Sequence, residues 1–282
     1  MAVTTQQNLK GLYPDQSFPF DDVVPEALIN NIATIAGVIE GDAPVMRVPY
    51  VKTDPAGGFV AEGAEINVTD PELDEVRIVT RKLAILTKQS REASTHTISA
   101  DLLSSSMSRS IIGHADNALL NNQPTDNGPT GLLHIEGTID GGTLTNSFDP
   151  ISDAITSIEV NRGKASSIIM DPKSWGVLSK LKLTTGELQL GTPAEQAERR
   201  LFGLPVYTTP EMPEGNLIVV DKGDLIACAG DIQLTESTDA YFTSDSIARR
   251  VTWRFGWNLV HANRMAKIKV DIPAAKEATN TK

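Results

Sequence analysis

The 282 residues hold a single cysteine, Cys228, so no intrachain disulfide can form and the chain fits a reducing compartment. Aromatic residues are sparse at 5%, although an apolar fraction of 40% still suffices for a core. Basic residues are in short supply: 25 Lys and Arg stand against 36 Asp and Glu, a net charge of −11. A chain of that balance repels nucleic acid as a whole. The first 25 residues carry one base, Lys10, against Asp15, Asp21 and Asp22, which excludes a basic arm that condenses nucleic acid. The longest apolar runs, near 217–220 and 225–229, fall far short of the ~20 residues of a membrane helix. MAVTTQQNLK lacks the apolar core of a signal peptide. The class expected is soluble, acidic and cytoplasmic, with no membrane partner.

Catalytic signatures are also missing. His96, His114, His134 and His261 share no metal spacing with one another or with Cys228. Cys228 lies in the apolar run LIACAG, where a buried inert thiol is expected rather than a nucleophile. No G-x-S-x-G elbow, Walker loop or G-x-G-x-x-G occurs, and the glycines of GPTGLL and DGG follow a loop rather than a strand. Carboxylates are plentiful, but sequence alone cannot bring two of them to hydrolytic spacing. No cofactor, no metal and no enzymatic activity are expected.

What the chain does have is an ordered series of packing signals, centred on residues 167–209. Ile168, Ile169 and Met170 read as a buried strand. Asp171-Pro172 then opens a short helix bearing Trp175, Val177, Leu178 and Leu181, since Asp caps orphan amides and Pro suits the first helical position. After a polar excursion over 184–200, Leu201 to Tyr207 returns as a strand, with Gly203 supplying the positive φ of the reversal.

Ahead of this, residues 1–24 read as an extended arm. Pro25 is expected to open a helix whose Leu28, Ile32, Ile35 and Ile39 share a face, ended by Gly41-Asp42 and docked on its own domain or on a neighbour. From Pro44 to Glu92 the chain turns β-like. In EVRIVTRKLAILTKQS apolar and charged residues mix on both faces, so neither is a clean core face. A long two-stranded ribbon is marginal alone in water and needs something to lie on. Exposed Glu62, Glu65, Asp70, Glu72, Asp74 and Glu75 suggest that it projects.

Ser99 is expected to cap a long helix with the stripe Leu103, Met107, Ile111, Ala115 and Leu119, and with Ser104, Ser108, Asp116 and Asn117 on its polar face. Pro150 starts a further helix carrying Ile151, Ala154, Ile155 and Ile158. Residues 216–220 and 224–228 read as apolar runs, so 164–230 forms a plausible α/β unit. Val251, Trp253, Phe255, Trp257 and Leu259 alternate strictly with polar residues or glycine, as in a half-buried strand, and 266–270 is expected to pair with it. The tail from Ala274 is polar.

Several segments together resemble the major capsid proteins of tailed bacteriophages, the Hong Kong 97-like fold. Val24-Pro25 and the Ile-rich segment after it resemble that family's N-terminal arm. Gly58-Phe59-Val60-Ala61-Glu62-Gly63 resembles the strand before the tip of its extended loop. Lys88-Gln89-Ser90-Arg91-Glu92 resembles the start of its spine helix, and Asn117 to Asn121 with Gly128-Pro129-Thr130-Gly131-Leu132-Leu133 resembles that helix's end. Met170-Asp171-Pro172-Lys173-Ser174-Trp175 and Gly203-Leu204-Pro205-Val206 match best.

The resemblance implies an α+β fold with five parts. These are an N-terminal arm (1–43), an extended β-ribbon loop (44–92) and a peripheral domain with the spine helix (93–149). An axial α/β domain (150–230) and returning peripheral strands with the tail (231–282) complete it. It implies a subunit that assembles with itself through pentamers and hexamers, in the host cytoplasm, into a virion capsid around double-stranded DNA that it does not bind specifically. A portal and decoration proteins are the further partners implied. Because the chain starts at Met1 without a long helical segment ahead of the arm, a separate scaffolding protein is expected, with dispensable scaffolding or a cleaved upstream segment as the alternatives. The residues implied at subunit contacts are Glu62, Glu65, Arg77, Arg81, Lys82, Gly186, Arg199 and Arg200. An encapsulin, a shell enclosing a protein cargo, is the alternative within the fold, and an acidic enzyme or binding module the alternative outside it.

Some members of that family cross-link a ribbon lysine to a neighbour's asparagine. Residues 53–81 here contain no Lys and 217–257 no Asn. Assembled chains are therefore expected to run as monomers on a boiled denaturing gel, and a covalent ladder would refute this.

Overall fold

The computed structural model describes residues 16–20, 24–39, 43–53, 55, 57–60, 65, 68, 70–94, 97–182, 188–190 and 199–272. In chain order the elements are β1 (Gln16–Phe18), α1 (Leu28–Ile32), β2 (Thr34–Val38), β3 (Val45–Thr53), β4 (Glu72–Val79) and β5 (Arg81–Ser90). Next come α2 (Arg91–Ser94), α3 (Thr97–Asn121), β6 (Ile139–Leu144), α4 (Asp149–Val160), β7 (Ser167–Met170) and α5 (Pro172–Leu178). The remainder are β8 (Arg200–Leu201), β9 (Leu204–Thr208), β10 (Asn216–Val220), β11 (Leu225–Ala229), β12 (Ile232–Tyr241), β13 (Ser246–Leu259) and β14 (Met265–Val270). Two six-stranded sheets and a two-stranded ribbon result, a mixed α+β architecture.

The first sheet runs β1-β12-β13-β11-β2, with β5 also paired to β13 along ten residues. Its inner face is the odd-numbered side of β13, where Trp253, Phe255 and Trp257 stack in sequence at centroid distances of 4.2 and 5.7 Å. Met107, Ile111, Ala115 and Leu119 of α3 close over that face, so the expected stripe is buried from Met107 on, and the Leu103 side chain lies outside the described residues. The indole nitrogen of Trp257 donates to the carbonyl of Thr130 at 2.8 Å, which fixes the loop after α3.

The second sheet runs β6-β14-β10-β7-β9-β8. β7 and β10 are buried on both faces. Ile168, Met170, Leu217 and Val219 pack beneath α4 and α5. Ile169, Ile218 and Val220 turn the other way and join the core of the first sheet. The expected strand–helix–strand over 167–208 is present: β7 and β9 are parallel, with α5 between them. Asp171 caps α5, its carboxylate accepting from the amide of Ser174 at 2.9 Å with Pro172 at the first turn. At the junction of the sheets, buried Asp224 accepts from Arg264 and hydrogen-bonds His261, each at 3.1 Å.

Five expectations need correction. The long helix already begins at Thr97, so Ser99 lies inside its first turn and is not its cap. The helix after Pro25 spans only α1, and Ile35 and Ile39 lie in and beyond β2, which runs parallel to β11. Gly37 and three β-branched residues weaken helix there, and the open edge of β11 supplies a pairing no local pattern shows. Residues 266–270 do not pair with β13: β14 lies between β6 and β10 in the second sheet. Thus β6 and β14 join the second sheet, whereas β11, inside the 150–230 stretch, belongs to the first.

The stretch 44–92 is also not ribbon throughout. Only β3 and β4 form it, and β5 is a strand of the first sheet. The division falls at Thr80, which is fully buried. Its amide donates to the carbonyl of Pro44 at 3.0 Å, and its hydroxyl donates to the carbonyl of Ala43. Before this point the even residues Val76 and Ile78 face inward; after it the odd residues Leu83 and Ile85 do. The mixed faces of EVRIVTRKLAIL are two clean alternations joined out of phase.

Lastly, Asp116 does not lie on the solvent face of α3. It is buried and accepts from the amide of Leu28 at 2.9 Å, so it holds the start of α1. Burial pushes its carboxyl up to about 7, against the lowering effect of the Leu28 amide, and the nearby Glu211 charge adds a little. In the unfolded chain an Asp titrates near 4. Between those values the folded state holds a proton that the unfolded state has lost, so this group's contribution falls as pH rises from about 4 to about 7. Asp116→Asn keeps the acceptor and removes the titration. The variant should be the more stable at pH 8 by about 1 kcal/mol or more, with the gap closing toward pH 4. Thermal melts at both values check this, and a wild type that is the more stable at pH 8 would contradict it.

Candidate assembly interface

Three features of the described residues bear on assembly, and the first two protrude from the packed sheets. The first is the ribbon. Its base is anchored, because Met46, Val48, Tyr50, Val76 and Ile78 form a small core with Ile39, Ile226, Cys228 and Val260 on the outer face of the first sheet. The backbone of β4 crosses β13 at Gly256, where an added Cβ would come within 2.4 Å of the carbonyl oxygen of Val79. Only glycine admits so close an approach. Asn258 donates to the carbonyl of Arg77 at 2.9 Å beside it. Cys228 lies under this base as a buried thiol, its pKa raised to about 11 by burial, in line with an inert role.

Beyond the base the ribbon loses its support. Leu73, Phe59 and Val68 are exposed, Val68 to 91%. Surface pairs hold its rungs: Arg47 with Glu75 at 2.7 Å and Lys52 with Glu72 at 3.0 Å. The Lys52 hydrogen bond and charge lower the carboxyl of Glu72, and the same hydrogen bond raises the ammonium of Lys52. Exposed pairs of this kind add little to stability. Among its described residues the distal ribbon thus has no core of its own.

The second feature is the tight hairpin β8–β9. Leu201 pairs with Leu204, and the two residues between them, Phe202 and Gly203, both have positive φ, at 51° and 79°. That is the geometry of a type I′ turn, in which Gly is at ease and Phe is not. Phe202 is nevertheless 55% exposed at the tip. A strained, solvated aromatic contributes nothing to this chain's own core. The sequence reading passed over it, although a large apolar residue immediately before a turn glycine is a legible signal.

The third feature is the N-terminal segment, where β1 pairs antiparallel with β12 and Phe20 stacks on Trp253 at 6.2 Å. This segment docks on its own chain as far as it is described.

The residues expected at contacts are spread over these features. Arg77 lies exposed on the outward face of the ribbon base, and Arg81 and Lys82 lie exposed just past the Thr80 crossing, opposite Phe255 and Arg254. Glu65 is exposed on the distal part of the loop, away from them in sequence. Arg199 and Arg200 meet at the β8–β9 hairpin: Arg199 sits 5.8 Å over the Trp175 ring and donates to the Thr208 hydroxyl, and Arg200 is opposite Pro205. Arg199 therefore also serves its own fold. Glu62 and Gly186 lie outside the described residues.

A family model described as the phage capsid family matches residues 27–270. The fold is similar to that of the capsid of a native GTA particle, with a TM-score of 0.66 and 19% identity over 86% of this chain and 89% of that one. A chain from Gordonia phage Cozz gives a TM-score of 0.68 and 18% identity over 87% and 86%. One from Mycobacterium phage Bobi gives 0.65 and 13% over 87% and 90%. A comparison with curated protein sequences gave no match.

Proposed function

The chain belongs to the phage capsid family and has the Hong Kong 97-like fold, a subunit of an icosahedral shell, and we propose that it is the major capsid protein of a tailed phage, building that shell through pentamers and hexamers. The observation that carries the assembly route is the distal ribbon, whose described residues over 55–75 are acidic, apolar or glycine and pack into no core of this chain. Such an element contributes to stability only when a second copy lies against it.

On this reading the chain acts by assembly rather than catalysis. The unit around β7, α5 and β9 presents the Phe202 tip, Arg199 and Arg200 toward copies related by ring symmetry, a heterologous contact that closes. The acidic balance suits a shell that encloses double-stranded DNA without gripping it. Assembly in the host cytoplasm, a separate scaffolding protein, a portal and decoration proteins complete the proposal.

Purified chain taken through rising concentration should pass from subunits or capsomers to closed shells, by size exclusion and negative-stain microscopy. A species of monomer or dimer size under all conditions would overturn the reading, and a copurified protein cargo in place of DNA would favour an encapsulin. Phe202→Asn suits the turn better and should melt no lower than wild type as an unassembled subunit, while requiring a severalfold higher concentration for shells.

A further inference from the structure

The core shared by the two sheets ends part-way along one side of β14 and β10. Met265 of β14 and Ile218 and Val220 of β10 face that core. The next residues on those same sides are Lys267 and Lys269 of β14 and Asn216 of β10. In register, Lys267 lies opposite Ile218 and Lys269 opposite Asn216. These three side chains line a cavity of about 530 Å³, within the size range of small-molecule sites.

The cavity carries fixed polar groups and an apolar wall. Asn121, the last residue of α3, lines it with its amide held by the carbonyl of Glu211 at 2.6 Å. His134 lines it with one ring nitrogen 2.9 Å from the side-chain amide of Gln123. Leu133, Ile139 and Pro213 supply the apolar part.

The charge in this cavity is not balanced by the fold. Alternation in MAKIKV reads as a half-buried strand with its lysines in water, yet Lys267 is half-buried. Its ammonium donates to the carbonyl of Ile135 at 2.7 Å, and that of Lys269 to the side-chain oxygen of Asn216 at 2.6 Å. Both acceptors are neutral, and an ammonium has three protons to donate. Asp140 of β6 stands opposite Lys267, but it is exposed and accepts from the amide of Gly142 at 2.9 Å. Among the described residues neither lysine has an ion pair. Burial lowers the Lys267 ammonium from its usual range, with no carboxylate raising it again. A cation withdrawn from water in this way is stabilised by a counter-charge.

The spacing indicates which anion. Lys267 and Lys269 share one side of β14, about 7 Å apart at ~3.3 Å per residue. Two point charges at that distance suit a head with several oxygens, whereas the fork of one arginine suits a single carboxylate. The cavity is larger than a bare anion fills, so the head carries a body that meets the apolar wall.

We propose that this cavity is a binding site for an organic phosphate, with the phosphate on Lys267 and Lys269 and the body between Asn121, His134 and the Leu133–Pro213 wall. A free nucleotide and the end of a nucleic-acid strand carry the same head, and the test separates them. The site needs one copy of the chain only, so it stands or falls apart from the shell reading.

The purified chain is titrated by calorimetry with inorganic phosphate, dAMP and a 5′-phosphorylated oligothymidylate, at constant ionic strength because salt screens such contacts. Binding of dAMP should saturate with a Kd below about 1 mM, and inorganic phosphate, lacking the body, should bind about tenfold more weakly. Lys267→Gln with Lys269→Gln should weaken both by about tenfold or more. Lys267→Gln keeps a donor for the Ile135 carbonyl. If the double variant melts below wild type, Lys269→Gln alone, at an exposed position, decides by a severalfold loss.

An oligonucleotide that binds more tightly than dAMP, and loses that binding in the variants, would support the site with a strand end as its ligand. Equal or weaker binding of the oligonucleotide would support it with a free nucleotide. No saturable heat with any of the three probes, or variants that bind as wild type does, would overturn the inference. Lysines that serve only the fold would lower the melting of the variants and leave the wild-type titrations flat.

Discussion

The crossing of β4 over Gly256 is the constraint on which the rest depends. It requires a glycine in the middle of a 14-residue strand, where glycine costs β-stability, because the carbonyl of Val79 occupies the space a side chain would take. With the backbone held there, Thr80 can be buried between Pro44 and β13 and satisfied by local carbonyls. Its burial switches the inward side of the chain from even to odd residues. The same strand run can then serve a projecting ribbon on one side of the switch and the main sheet on the other.

The two sheets are fused through a shared core rather than joined by a linker. Because β7 and β10 are buried on both faces, Ile169 and Ile218 belong to the core of the first sheet while their neighbours Ile168 and Leu217 belong to that of the second. β14 extends this by crossing from the end of β13 into the second sheet. Asp224, His261 and Arg264 tie the polar corner where the chain passes between them, and His261 also meets Tyr50 of the ribbon edge-on at 5.6 Å. A subunit built in this way offers a firm base from which an unsupported ribbon can reach outward.

What could be read from the sequence was what local chemistry decides. Asp171-Pro172 specifies a capped helix wherever it stands, and the i, i+4 stripe from Met107 to Leu119 names the buried side of α3 without reference to a partner. The alternation of Trp253, Phe255 and Trp257 names the inner face of β13 in the same way. The misreadings all concern partners distant in sequence. Ile35 and Ile39 have helical spacing, but the edge of β11 makes β2 a strand. The partner of β14 is set by the second sheet, which periodicity does not encode. Asp116 reads as polar surface until the amide of Leu28, 88 residues away, reaches it. The proposed interface was legible as a ribbon lacking a core face and as charges near Arg77 to Lys82. The exposed Phe202 at the β8–β9 turn appears only once strands are paired.

On the proposed reading the ribbon has two tasks: its base, up to Tyr50 and Val76, packs on its own fold, and the part beyond is the part a neighbour covers. The direct measurement is to replace residues 54–71 with a short turn joining Thr53 to Glu72, then record both subunit melting and shell formation. The account predicts a subunit that melts like wild type and forms no closed shells. Wild-type shells from the shortened chain, or a subunit that no longer folds, would contradict it.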